Sequence, residues 1–342
     1  MGRAHVVVLS KQGSASLDAA QRRDLAEAAD VDYHRLQAAP DRAAAVRLLQ
    51  GADVLAATNA CLPVLDAALL DALPRLRGVV LYATGYDHID TALLRARGVA
   101  LSVLPDYATQ AVAEHGVAML LGLATRLHLA HDRSRGLVPP QTSLRGVQLC
   151  GRRLGVVGLG RIGSAVAAMG AGLGMRVSGV DPAPAAAAAA RAAGARVLDL
   201  PHLLAASDAV VVCANHVHGA PPVLGAAELA LLPDGALLAN VSRASLVDTA
   251  AAVDAVRSGR LRGYAVDDTV LDPVEHADLL REGRVLQTGH SAWWRDEVLV
   301  RGRRLWGAAV LAAVTGRPTD AVVPWRGDLH GDLHGDLVDS SP

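Results

Sequence analysis

Two α/β domains built on parallel sheets are the fold class this sequence predicts, on three observations. The chain has 342 residues, more than a single typical domain holds. Short β-branched runs alternate along it with alanine- and leucine-rich stretches of helical character, which is how βαβ units read. A glycine-rich turn, with an apolar run before it and a helical segment after it, opens the second half.

In chain order, the spacing predicts strands at His5–Leu9, Val31–Tyr33, Val54–Ala57, Val79–Tyr82 and Val99–Val103. One long helix is expected from Thr109 to about His131, ended by the looser stretch holding Pro139 and Pro140. Strands follow at Leu154–Val157, Arg176–Val180, Arg196–Leu198, Ala209–Cys213, Ala236–Asn240, Gly263–Val266 and Val285–Gln287. A last helix spans about Arg295 to Thr315. Residues 326–342 carry a repeated Gly-Asp-Leu-His and read as a disordered tail; no metal site is expected.

Composition excludes several classes. A net charge of −1 leaves no electrostatic footprint for nucleic acid. No uninterrupted apolar run is long enough for a membrane span, and the N-terminal apolar run is too short for a signal peptide. Cys61, Cys150 and Cys213 are widely spaced and read as small buried hydrophobes in a reducing, cytoplasmic setting. Phenylalanine is absent and Lys11 is the only lysine, a bias that says little about mechanism.

Gly158-Leu159-Gly160-Arg161-Ile162-Gly163 is a G-x-G-x-x-G flanked by Leu154–Val157 and a helical segment. Gly158 permits the tight turn, Gly160 lets the backbone approach a pyrophosphate, and Gly163 lets helix and strand pack closely. The helix N-terminus presents free N–H groups to the phosphates. Asp181 ends the next strand, where an acid accepts hydrogen bonds from ribose hydroxyls and repels a 2′-phosphate. The predicted cofactor is therefore NAD.

Three polar residues close later strands: Arg243, Asp272 and His290. Open α/β sheets bind ligands at the carboxyl ends of their strands. Arginine clamps a carboxylate with two parallel hydrogen bonds, histidine transfers a proton, and a carboxylate fixes the histidine tautomer and raises its pKa.

With Ala83-Thr84-Gly85-Tyr86-Asp87-His88-Ile89-Asp90 and Gln110–Glu114 added, the chain resembles the D-isomer-specific 2-hydroxyacid dehydrogenases over roughly Leu76 to Trp294. The resemblance implies that Arg243, Asp272 and His290 are catalytic and that the Thr84 and Gly85 amides, with Arg243, hold the substrate carboxylate. It makes Ser242 and Asp267 cofactor contacts beside Gly158, Gly160, Arg161, Ile162, Gly163 and Asp181. It implies a flavodoxin-like substrate domain (1–105 and 294–325) into which a Rossmann dinucleotide-binding domain (106–293) is inserted, both doubly wound. The active site is expected in the cleft, and the chain is expected to form a homodimer.

The expected reaction is hydride transfer between NAD(H) and a small anionic 2-hydroxy or 2-oxo acid. The chain departs from the family pattern at Ala244, Asp272, Gly289, Trp293, Trp294 and the loop with His216 and His218. These departures keep two other readings open: oxidation of a small phosphonate or phosphite, and a non-catalytic NAD(H)-sensing protein.

Overall fold

The structure, a computed structural model, describes residues 3–216, 219–316 and 320–325. The Gly-Asp-Leu-His repeats and His218 lie outside the described residues. The chain divides into two compact units, residues 1–107 with 296–342, and residues 108–295.

The first unit holds β1 (Ala4–Ser10), β2 (Ala29–Arg35), β3 (Val54–Thr58), β4 (Gly78–Tyr82) and β5 (Ala100–Ser102), joined in parallel in the order 5-4-3-1-2. That is the flavodoxin-like doubly wound order. β1, β3 and β4 are nearly continuous apolar runs because helices cover both faces of the sheet. The helix Asp296–Val314 packs on β4. Its Trp306 is fully buried, meets the Tyr82 ring edge-on at 5.4 Å, and donates from Nε1 to the Val80 carbonyl at 3.1 Å.

One strand went unread in the sequence. A short segment near the C-terminus, Ala321–Val323, pairs antiparallel with β5 and covers that edge of the sheet. Beside it, Trp325 lies against Gly78, where an added Cβ would come within 2.1 Å of the indole.

The second unit continues with β6 (Arg153–Val157), β7 (Arg176–Val180), β8 (Arg196–Val197), β9 (Ala209–Val212), β10 (Ala236–Asn240), β11 (Leu261–Val266) and β12 (Val285–Gln287). All are parallel, in the order 12-11-10-9-6-7-8. The order reverses between β6 and β9, the topological switch point of a Rossmann sheet.

The expected long helix is two helices, Thr109–Thr125 and Leu127–Ser134, broken at Arg126, whose backbone is left-handed at φ 56°. Neither glycine nor proline marks the break, so periodicity runs through it unnoticed. Cysteine burial was also read too uniformly. Cys61 is buried, but Cys150 is exposed. Among the described residues no helix is long and apolar enough to cross a membrane.

Candidate active site

The glycine turn connects β6 to the helix Arg161–Gly172. Gly158 has φ 90°, and a Cβ there would meet Ala214 at 2.6 Å. A Cβ at Gly163 would sit 1.8 Å from the Gly158 carbonyl oxygen, so helix and strand close only around glycine. At Gly160 a Cβ would meet nothing within 4 Å, so the space on this side is open to a ligand.

Asp181 leaves β7 beside the turn. Its carboxylate accepts from the Leu159 N–H at 2.7 Å and from the Ala183 N–H at 2.8 Å, which sets it at the rim of the open space. Turn, helix terminus and acid together fit the diphosphate and ribose of a dinucleotide.

The carboxyl ends of β10, β11 and β12 carry the second cluster. Asn240, fully buried at the end of β10, shapes the turn that follows. Its side-chain oxygen accepts from the Ser242 N–H at 3.0 Å, and its Nδ2 donates to the Arg243 carbonyl at 2.8 Å. The Ser242 hydroxyl donates to the Ala214 carbonyl, tying this turn to the loop after β9. Arg243 thereby leaves the sheet at a fixed point.

Asp267 and Asp268 end β11 and do different work. Asp267 is buried, at 3% exposure. Its Oδ1 accepts from the Thr288 hydroxyl at 2.6 Å, from the Ser291 N–H at 2.9 Å and from the Ala292 N–H at 3.3 Å. One carboxylate thus anchors the loop on both sides of His290, and the His290 N–H donates to the Asp267 carbonyl. Anchoring is needed because Gly289 (φ 61°) and His290 (φ 60°) are both left-handed, a conformation that costs a non-glycine residue about 1 kcal/mol or more. His115 lies behind, with Nε2 3.0 Å from the Thr288 hydroxyl and Nδ1 3.0 Å from Arg295. Burial, with Arg295 nearby, lowers the His115 pKa against the pull of Asp267.

The acid beside His290 is Asp268. Its Oδ1 lies 3.0 Å from His290 Nδ1, and its Oδ2 accepts from the Ala244 N–H at 3.1 Å. The Asp268 hydrogen bond outweighs burial and raises the His290 pKa. Burial would raise the Asp268 pKa, but His290, the Ala244 N–H and Arg243 together hold it below the ordinary carboxylate value.

The pairing of Asp272 with His290 expected from the sequence is not what the structure shows. Asp272 closes back on its own turn, accepting from the Val274 N–H at 2.7 Å and the Glu275 N–H at 3.1 Å, and these bonds lower its pKa. An aspartate before Pro273 is short enough to cap its own backbone in this way. The signal that was available is the doublet Asp267-Asp268 at the end of an apolar strand.

Thr84 and Gly85 follow β4 in the first unit. The Thr84 hydroxyl donates to the Leu104 carbonyl at 2.7 Å. Trp293 and Trp294 meet edge-on at 4.9 Å between ring centroids, and Trp294 is 60% exposed. His216 is half-buried in the loop after β9.

A Rossmann sheet with an intact nucleotide turn and an arginine–acid–histidine set defines a dinucleotide-binding α/β protein of the oxidoreductase kind. Residues 117–292 match the family described as D-isomer specific 2-hydroxyacid dehydrogenase, NAD binding domain. The chain is 33% identical over 233 residues to a glyoxylate reductase of Thermococcus onnurineus, covering 66% of this chain and 70% of that protein. It is 34% identical over 258 residues to a D-3-phosphoglycerate dehydrogenase of Mycobacterium leprae, covering 73% of this chain but 47% of the relative, about half its length. The solved structure of the TT0316 protein from Thermus thermophilus superposes with a TM-score of 0.78 at 30% identity, covering 93% of this chain and 100% of that one. The chain belongs to the D-isomer-specific 2-hydroxyacid dehydrogenases, a family of NAD-dependent oxidoreductases, and its second unit carries their NAD-binding domain.

Proposed function

We propose that this protein reduces a small 2-oxo acid, or oxidises the matching 2-hydroxy acid, with NAD(H) as cofactor. The observation that carries the reading is the His290–Asp268 pair held beside the Arg243 turn at the carboxyl ends of β10 to β12. NADH, when bound, supplies the hydride.

His290 engages Asp268 through Nδ1, which leaves Nε2 to give a proton to the substrate carbonyl oxygen in reduction and to take it back in oxidation. Asp268 keeps the ring in the tautomer and charge state this needs. Arg243 binds the anion with its planar fork and polarises the reacting carbonyl. Arg161, Ile162, Ser242 and the glycine turn hold the dinucleotide. The Asp267 carboxylate is largely occupied by its own loop; only Oδ2, which takes one 3.3 Å bond from the Ala292 N–H, has capacity left for a nicotinamide carboxamide. The assignment of the Thr84 and Gly85 amides to the substrate carboxylate rests on family likeness.

The relatives' names point to glyoxylate-sized and phosphorylated 2-oxo acids as the first substrates to try. A phosphonate substrate is not favoured, because the relatives are named for 2-oxo and 2-hydroxy acids, and a non-catalytic sensor is not, because the acid, the histidine and the arginine are all present at one sheet end. A cytoplasmic homodimer accords with the family.

The test follows NADH consumption with glyoxylate, pyruvate and phosphohydroxypyruvate, in the native chain and in Arg243→Lys. Lysine keeps the charge and loses the fork. The expected loss in kcat/KM is at least about tenfold, or ~1.4 kcal/mol. Turnover by Arg243→Lys equal to the native chain removes Arg243 from the site. No turnover of any 2-oxo acid, with NADH still bound, favours the sensor.

A further inference from the structure

The amino ends of β10, β11 and β12 hold a second feature, at the opposite border of the sheet from His290. An open cavity of about 340 Å³ is lined by Arg126, Ser143, Arg145, Arg262 and Arg284, beside Gly235, Gly259 and Leu261. Each strand-borne arginine enters from an amino end: Arg262 is the second residue of β11, and Arg284 directly precedes β12. A five-residue strand at about 3.3 Å per residue puts this cavity roughly 17 Å from the catalytic end.

The four guanidiniums are thinly compensated. Arg126, Arg262 and Arg284 each donate through one Nη2, to the carbonyls of Glu282, Arg145 and Val256. Those acceptors are neutral. Among the described residues the nearest carboxylate to the set is Glu282, 3.7 Å from Arg284 and 60% exposed. The Arg145 guanidinium has no ion-pair partner among the described residues. The Nε–H groups of Arg126 and Arg262 are buried without an acceptor. Five donors per guanidinium leave most of the set's hydrogen-bonding capacity unspent.

Burial of Arg126, with Arg262 and Arg284 facing it, lowers its pKa, the direction expected where cations crowd. Arg126 also takes its place at a cost, because its backbone is left-handed where two helices meet. Ordinary packing would separate such charges or pair them. A guanidinium keeps its charge at any physiological pH, so the repulsion is not relieved by loss of a proton.

We propose that this cavity is a binding site for a small phosphate-bearing metabolite, separate from both the cofactor turn and the catalytic residues. A phosphoryl group offers several charged acceptor oxygens at once, the complement of converging planar forks. The volume falls in the range of small-ligand pockets and exceeds what a single oxyanion fills. The site needs no change at the catalytic end and can be filled while NADH is bound.

The experiment titrates inorganic pyrophosphate, and separately glycerol phosphate, into the full chain saturated with NADH, by isothermal calorimetry. Saturation matters because the glycine turn is itself a phosphate site. The expected result is saturable binding without release of NADH, weakened at least about tenfold by Arg145→Gln and by Arg262→Gln. Arg145 is exposed, so its variant keeps the fold, and unchanged kcat/KM reports that the active site is intact. Pyrophosphate against glycerol phosphate separates a diphosphate from a monoester ligand. Binding that expels NADH, or that both variants leave unaltered, places the anion elsewhere and overturns the proposal. Absence of saturable binding, as when a second copy of the chain covers the cavity, overturns it equally.

Discussion

His290 and its two neighbouring aspartates divide one task. Asp267 anchors the loop that carries the ring, and Asp268 raises the ring's pKa. Because the folded pKa of His290 is raised above its ordinary 6.5 and that of Asp268 is lowered, the pair's contribution to stability is full below 6.5 while Asp268 stays ionised, fades as pH rises through the folded histidine value, and is lost in acid as Asp268 is protonated. Reduction, which consumes the proton, should fall over the same upper range, and oxidation should rise. Asp268→Asn removes the charge and keeps the shape, so the falling limb of the reductive kcat/KM profile should move to lower pH. Asp272→Asn should leave that limb where it is, since its carboxylate serves only the 272–275 turn. The opposite pattern, a limb moved by Asp272→Asn alone, would return the pairing to Asp272. That Arg243 and His290 follow the carboxyl ends of β10 and β12 was readable from the sequence. The acid was not, because choosing between Asp268 and Asp272 depends on how each turn folds back, and a one-methylene side chain before proline satisfies its own backbone first.

At the scale of elements, the buried apolar strands were legible. β1, β3, β4, β9 and β10 are short apolar runs covered on both faces, and their spans were readable almost to the residue. The antiparallel strand Ala321–Val323 was not, because three residues carry no period and only their partner β5 makes them a strand. The break at Arg126 escaped for the converse reason, since the helical pattern continues through it. The glycine turn was legible because Gly158 and Gly163 leave no room for a Cβ. Gly163→Ala should therefore weaken NADH binding at least about tenfold by pushing the helix start off β6, a shift with the cost of an overpacked core, roughly 1–3 kcal/mol. Fluorescence titration with NADH measures it, and wild-type affinity in the variant would mean the turn has room that the 1.8 Å contact denies.

The whole molecule consists of two units, each with its own sheet and core, so a single two-state transition is not expected. NADH binds the folded second unit and should raise that unit's transition by about RT ln(1 + [L]/Kd), near 2.7 kcal/mol at a hundredfold excess over Kd. The four tryptophans report on the two units separately. Trp306 and Trp325 belong to the first, Trp293 and Trp294 to the second. In a Trp293→Phe, Trp294→Phe variant, indole fluorescence should follow a transition that NADH moves little, while calorimetry still records the one it moves. Equal displacement of both signals would show the units unfolding together.

Covering β5 with a late antiparallel segment has a consequence for how the protein behaves in company. A parallel strand with a bare border presents a row of N–H and C=O groups, ready to recruit any extended chain that passes. Removing residues 320–342 would strip both the Ala321–Val323 pairing and the Trp325 indole from that border, leaving the second unit, with His290 and Asp268, untouched. Such a truncated protein should still turn over when freshly purified and dilute, yet scatter light as its concentration rises. A clear, monodisperse solution of the shortened chain at high concentration would show that the border is guarded by something other than the covering strand.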